Sequence, residues 1–165
     1  MSEIRDETAD DVAAIRAVNL EAFGQDEEGR IVDALRANGA ATLSLVATDN
    51  GTVVGHIMFS PLVVETIQGA GLGPMAVRPS HQRQGIGSRL VEEGVARLRA
   101  SGCPFIVVLG HPEFYPRFGF RPAATYGVTC EWDVASEAFM VALLDPAAGD
   151  RLRGMARYRA EFTTS

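Results

Sequence analysis

Hydrophobic and polar positions along the chain switch between a helical period and a strand period. Ile4-Arg5 reads as a short edge-like strand, and Thr8-Ala-Asp-Asp11 has the spacing of a capping box, with Thr8 as N-cap and a carboxylate three residues on. Val12, Ile15, Val18 and Ala22 then recur on one face, which predicts a helix to about Phe23. Gly24-Gln-Asp26 interrupts the pattern. Ile31, Val32, Ala34 and Leu35 predict a second helix stopped by Asn38-Gly39, so the two form a helical hairpin. Leu43–Ala47 and Val53–Phe59 are strand-like, and Asp49-Asn50-Gly51 between them is a strong hairpin signal because its residues tolerate positive φ. Ser60-Pro61 is expected to kink the second strand before it resumes over 62–65, and Gln68-Gly-Ala-Gly71 reads as a flexible tip.

The next stretch, Gly71 to Arg89, organises the chain. Leu72–Val77 is an apolar run that ends at Arg78-Pro79, and after a polar turn Gly85-Ile86-Gly87 opens a helix. Ile86, Leu90, Val91, Val95 and Leu98 make its packing face, while Arg89, Glu92, Glu93, Arg97 and Arg99 make its solvated one. The helix ends near Ser101-Gly102, and Pro104–Leu109 reads as a strand buried on both faces. Strand, helix and strand at this spacing imply a right-handed parallel crossover, hence a mixed α/β sheet that is antiparallel first and parallel at its centre. Further on, Val128, Cys130 and Trp132 alternate with polar residues, and Ala138–Leu144 is apolar, which predicts a closing antiparallel pair. The tail from Asp145 to Ser165 has little periodicity, with Met155, Tyr158 and Phe162 as a docking patch.

Composition narrows the class. The 165 residues fit one domain, residues 1–165, with a core over 3–145 and a tail of unclear role over 146–165. An apolar share of 47% beside a charged share of 22% describes a soluble globular chain rather than a disordered one. No apolar run approaches the roughly 20 residues of a membrane span, and the N-terminus is acidic, so a cytoplasmic protein that meets no membrane is expected. Cys103 and Cys130 are too few for a disulfide framework and read as buried free thiols. The net charge of −6 and scattered arginines argue against nucleic acid as a partner.

The chemistry concentrates where the strand Leu72–Val77 meets the third helix. The first N–H groups of a helix lack internal partners and sit at its positive end, so the loop before Gly85 suits a phosphate, with Arg83 and Arg89 adding charge nearby. Glycines there let a ligand approach the backbone. Downstream, Gly110-His111-Pro112 leads into aromatics at Phe114, Tyr115, Phe118 and Phe120, which by themselves read equally as core.

Two motifs turn this into a resemblance. Gln82-Arg83-Gln84-Gly85-Ile86-Gly87 resembles the acetyl-CoA loop of the GNAT superfamily (GCN5-related N-acetyltransferases), Gln/Arg-x-x-Gly-x-Gly/Ala, matching at Gln82, Gly85 and Gly87. Tyr115-x-x-x-Gly119-Phe120 is similar to the Tyr-x-x-x-Gly-Phe pattern of the same family, in the expected order. Within the superfamily the chain looks like the YhbS-like group. The resemblance implies the GNAT fold, a mixed and mostly antiparallel sheet with a parallel βαβ core flanked by helices.

It also implies acetyl-CoA as cofactor and transfer of its acetyl group to an amine of a small molecule or protein. By resemblance, Gln82, Arg83, Gln84, Gly85, Ile86, Gly87 and Ser88 would hold the pyrophosphate, and Met75, Ala76 and Val77 would pair with the pantetheine arm. Tyr115 would be the general acid for the departing thiolate, with Phe114 and Phe118 lining the channel. Such chemistry needs no metal, and the histidines and cysteines show no zinc-like spacing. The chain departs from the family pattern in having no glutamate within Gly71–Val77 and in carrying Gly110-His111 where many relatives carry asparagine. A general base is therefore open among His111, His56, Glu28, Glu113 and water, although His56 inside its strand reads first as a structural histidine. A coenzyme A-binding sensor without turnover is the alternative, as are another acyl group or an oxygen acceptor. A monomer or homodimer is expected.

Overall fold

The computed structural model describes residues 2–162, so the last three residues of the expected tail, 163–165, lie outside the described residues. In chain order the elements are β1 (Ser2–Asp6), α1 (Val12–Phe23), α2 (Glu27–Ala37), β2 (Leu43–Asp49), β3 (Thr52–Val64), β4 (Ile67–Val77) and α3 (Ile86–Ala100). Five short strands complete the chain: β5 (Phe105–Leu109), β6 (Phe120–Pro122), β7 (Val128–Cys130), β8 (Phe139–Leu143) and β9 (Gly154–Arg157). They fall into two compact units, and the chain passes from one to the other within β3, β4 and α3.

The first unit comprises residues 2–60, 73–94 and 161–162. Asn50 and Gly51 both take positive φ, 52° and 82°, the backbone a two-residue hairpin requires, so β2 turns directly into β3. β1 pairs antiparallel with β2, and β2 with β3. Asp11 closes the start of the first helix by accepting the Thr8 N–H at 2.7 Å, and its carboxylate also takes two bonds from Arg5. Ile15 and Val18 of α1 and Val32 and Leu35 of α2 are buried in one cluster with Val46, Met58 and Ala76. Burying each such side chain contributes about 1.5–3 kcal/mol, against ~0.2–1 kcal/mol for an exposed ion pair such as Arg16–Asp33, so the apolar stripe holds the helical hairpin. On the other face of β3, Gly55 lets Ile86 and Leu90 of α3 come within 3.2 Å of where its Cβ would be. β3 is thus covered by helices on both faces.

The second unit comprises residues 61–72 and 95–160. Here β4 runs parallel to β5, β5 antiparallel to β8, and β8 antiparallel to β6. β9 lies parallel to β7 and antiparallel to the end of β3, at Val63 and Val64. Its core gathers Leu62, Val64, Phe105, Val107, Val141 and Leu152. The sheet is mixed, as the periodicity predicts.

Four expectations are corrected. β3 runs unbroken through Ser60-Pro61. Gln68–Gly71 is strand, not a tip, and the turn is Glu65-Thr66, where Glu65 takes φ 54°. The glycines serve close approach: a Cβ at Gly69 would stand 2.7 Å from the Phe105 ring, and one at Gly71 3.1 Å from Tyr158. β7 and β8 do not pair with each other, since β8 fills the place between β5 and β6 while β7 takes β9. The tail is not one patch: Met155 lies in β9, Tyr158 packs in the second unit's core and stacks on Trp132 at 4.7 Å, and Phe162 packs in the first unit's cluster.

Candidate functional site

The loop before α3 is built by a chain of local bonds. Beyond β4, Arg78 is tied to β3 through its N–H to the Val54 carbonyl (2.8 Å) and its Nε to the Val53 carbonyl (3.0 Å), and its Nη1 meets Glu21. A single 3₁₀ turn, Pro79–His81, follows, with His81 held between Ser80 and Asp49. The Gln82 side chain donates to the Val77 carbonyl at 3.0 Å, closing the loop onto the end of β4. Arg83 and Gly85 then take left-handed φ values of 64° and 83°. A left-handed backbone at a non-glycine residue such as Arg83 is strained and clusters at functional sites. Alternating left- and right-handed residues turn successive N–H groups toward one side, an anion-binding concavity. Gln82, Arg83, Gln84 and Gly85 are exposed, and the space around Gly85 is open, with nothing within 4 Å of a Cβ built there. The first helical bond of α3 runs from the Arg89 N–H to the Gly85 carbonyl, so the N–H groups of Ile86, Gly87 and Ser88 stand at the helix's positive end.

Met75, Ala76 and Val77 lead into this loop, Ala76 buried toward α1 and α2 and its two neighbours half-buried. Arg89 does not add its charge to the loop as expected, because its guanidinium is held by the hydroxyl and carbonyl of Ser2.

In the second unit, Tyr115 opens a 3₁₀ turn, Tyr115–Phe118, that Gly119 ends with φ 94°. The His111 backbone carbonyl shapes the approach by accepting from the N–H groups of Phe114 and Tyr115. The Tyr115 ring meets Phe114 edge-on at 4.9 Å and Phe120 at 5.6 Å, and Phe118 in turn meets Phe114 at 5.1 Å. Arg117 lies over the Phe114 ring, 4.9 Å from its centre. Only 6% of Tyr115 is exposed, and this burial pushes its phenol up to about 12. Near neutral pH it is a proton-bearing donor in an apolar setting.

Each of the expected bases has its own surroundings. His111 and Glu113 are 3.9 Å from each other but 81% and 78% exposed, and Glu28 is held by Gln25. His56 is fully buried on β3. Its Nε2 lies 2.8 Å from Ser44 Oγ, and Ser44 in turn donates to Glu7, which Arg36 grips through two bonds of 2.7 and 2.9 Å. A carboxylate only accepts, so the Ser44 proton goes to Glu7 and the Ser44 oxygen takes the proton on His56 Nε2. That leaves Nδ1 as the lone-pair nitrogen, buried and with no partner among the described residues. Burial, followed by the lesser and opposing effects of Glu7 and Arg36, pushes His56 down to about 4, so it is neutral at pH 7. Sequence reading missed Glu7, Ser44 and Arg36 as its partners, because no local pattern links positions so far apart.

Cys103 and Cys130 are free and half-buried rather than buried, and burial raises both thiols. Among the described residues, no three His, Cys, Asp or Glu side chains converge to hold a metal, and no helix is long and apolar enough to cross a membrane.

Comparison with known proteins gives these features a context. A profile of the acetyltransferase (GNAT) family matches residues 9–120. The chain is 38% identical over 162 residues to the uncharacterized N-acetyltransferase YhbS of Escherichia coli K12, covering 96% of this chain and 97% of that one. The crystal structure of YhbS from Escherichia coli in complex with CoA superimposes with a TM-score of 0.94 at 37% identity, over 98% of this chain and 92% of that one. A GNAT family acetyltransferase from Brucella melitensis, in complex with acetyl-CoA, gives 0.83 at 39% identity over 98% of each chain.

Proposed function

Because the chain belongs to the GNAT acetyltransferase family, in which it is an acetyl-CoA-dependent N-acetyltransferase, we propose how its own residues divide the work. The loop Gln82–Ser88 holds the cofactor's pyrophosphate through backbone N–H groups, with Met75, Ala76 and Val77 pairing along its pantetheine arm. The observation that most supports this is the left-handed pair Arg83 and Gly85 at the mouth of α3, open to solvent and latched by Gln82 to Val77. Acetyl-CoA supplies an activated acetyl thioester. As the amine nitrogen bonds to the acetyl carbon and the carbon–sulfur bond breaks, Tyr115 donates its proton to the leaving sulfur and regains one from solvent or the amine. Phe114 and Phe118 line the channel.

The acceptor is an amine that arrives neutral and attacks the thioester directly, and no side chain here has to serve as its base. Of the expected bases, His111 and Glu113 are open to water, and His56 is sealed in its own polar cluster. The reading takes the whole chain as one catalytic domain working in the cytoplasm, in keeping with two free thiols in a reducing compartment.

The test is acetyl-CoA-dependent thiol release across a panel of amines, wild type beside Tyr115→Phe. Turnover that falls about 10²–10⁴-fold on losing the hydroxyl supports the acid role. Tight CoA binding with no turnover on any amine would favour a sensor module instead.

A further inference from the structure

Gly110, the residue after β5, stands where the Tyr115 ring needs space. A Cβ built on Gly110 would lie 2.5 Å from Cε2 of that ring, 3.2 Å from Cδ2 and 3.4 Å from Cζ. Carbon atoms in contact settle at about 3.5–4.0 Å. The Gly110 backbone does not itself call for glycine, since its φ lies outside the left-handed region. It is also pinned: its N–H donates to the Ala138 carbonyl at 2.9 Å, and Leu109 beside it is in register with Phe139. On its other sides the ring meets Phe114 and Phe120.

We infer that Gly110 is a positioning residue for Tyr115: its missing side chain is the slot that the phenol ring occupies and that sets where the hydroxyl points. This rests on the reading of Tyr115 as the general acid. A methyl group at position 110 leaves backbone and core in place and drives the ring out by about 1 Å to restore contact distance. A displacement of that size at a reacting group costs on the order of 10²-fold in rate.

The experiment is a double-mutant cycle of Gly110→Ala and Tyr115→Phe, assayed with acetyl-CoA and the panel amine that wild type turns over fastest. Gly110→Ala is expected to lower kcat by about 30–100-fold with KM for acetyl-CoA within about threefold, and to cost less than about threefold in the Tyr115→Phe background, where there is no hydroxyl to misplace. An unchanged kcat, or the same loss in both backgrounds, overturns the proposal. Turnover indifferent to Tyr115→Phe would instead remove the acid role. In that case ring placement is still read by ¹⁹F NMR of protein labelled with 3-fluorotyrosine. The chain has three tyrosines, and the resonance missing from Tyr115→Phe belongs to Tyr115. That resonance should move in Gly110→Ala while those of Tyr126 and Tyr158 stay; if it stays too, there is no slot.

Discussion

Gly94 in α3 and Phe59 in β3 share one volume. A Cβ at Gly94 would fall 2.4 Å from Cε1 of the Phe59 ring and 2.5 Å from Cζ, and the ring is fully buried. Alanine at 94 would gain up to about 1 kcal/mol of helix propensity, while forcing extra volume into a packed core costs about 1–3 kcal/mol. With a net cost of up to about 2 kcal/mol, Gly94→Ala is expected to lower the thermal midpoint by up to about 8 °C, followed by circular dichroism. A midpoint that held or rose would mean that Phe59 turns aside freely.

Gly85 separates backbone shape from charge. Asparagine tolerates the left-handed φ that Gly85 adopts and adds no charge, so Gly85→Asn reads only the steric cost of a side chain beside the backbone and should weaken acetyl-CoA binding less than a glutamate does. Gly85→Glu strains the same backbone and sets a carboxylate beside the expected phosphates, which should weaken binding by at least about tenfold. Calorimetric titration decides it. Equal affinity in the glutamate variant would remove the loop from the cofactor site.

The raised phenol of Tyr115 makes a claim about alkaline pH. With the group pushed up to about 12, kcat/KM should show no descending limb from its ionisation below about pH 11. A limb near pH 10 that disappears in Tyr115→Phe would show that the ring is solvated in the working enzyme.

His56 governs stability on the acid side. The unfolded chain takes up the His56 proton near pH 6.5 and the folded chain only near 4. The unfolded state thus binds more protons between those values, and stability falls as pH drops through that window, by up to about 3 kcal/mol. Glu7, where burial is outweighed by bonds from Arg36 and Ser44, and Asp11, gripped by Arg5, have depressed values and add their losses only below about pH 4.5. Urea melts at pH 7, 6 and 5 should trace the His56 limb, and His56→Gln should flatten it. A limb that persisted in that variant would have to come from another group.

Features set by neighbouring residues were legible in the sequence. Asn50-Gly51 dictates its hairpin through two positive φ values, and Thr8 with Asp11, Gly24 and Asn38-Gly39 bound their helices, because caps and turns depend on a few adjacent residues. Partner choice was not legible: the alternation in Val128–Cys130 says that a strand forms and nothing about β9 lying beside it. Glycines misled for the same reason. Gly69 and Gly71 look like a loose tip until Phe105 and Tyr158 are seen against them, and Gly110 looks like a strand terminator until the Tyr115 ring fills its place. Of the candidate site, the loop from Gln82 and the turn at Tyr115 were visible as local motifs. The polar partners of His56 come from the loop after β1, from α2 and from β2, and left no trace in spacing.

β9 supplies the ladder partner of Val63 and Val64, yet it is made some 90 residues after them. At ordinary rates of synthesis, roughly 5–20 residues per second, that interval lasts on the order of 5–20 s. During it the end of β3 is a bare hydrogen-bonding edge, the kind of surface that recruits foreign strands. A stop codon before Gly154 would make that exposure permanent, so nascent or truncated chains, rather than the finished enzyme, are where this protein is most open to aggregation.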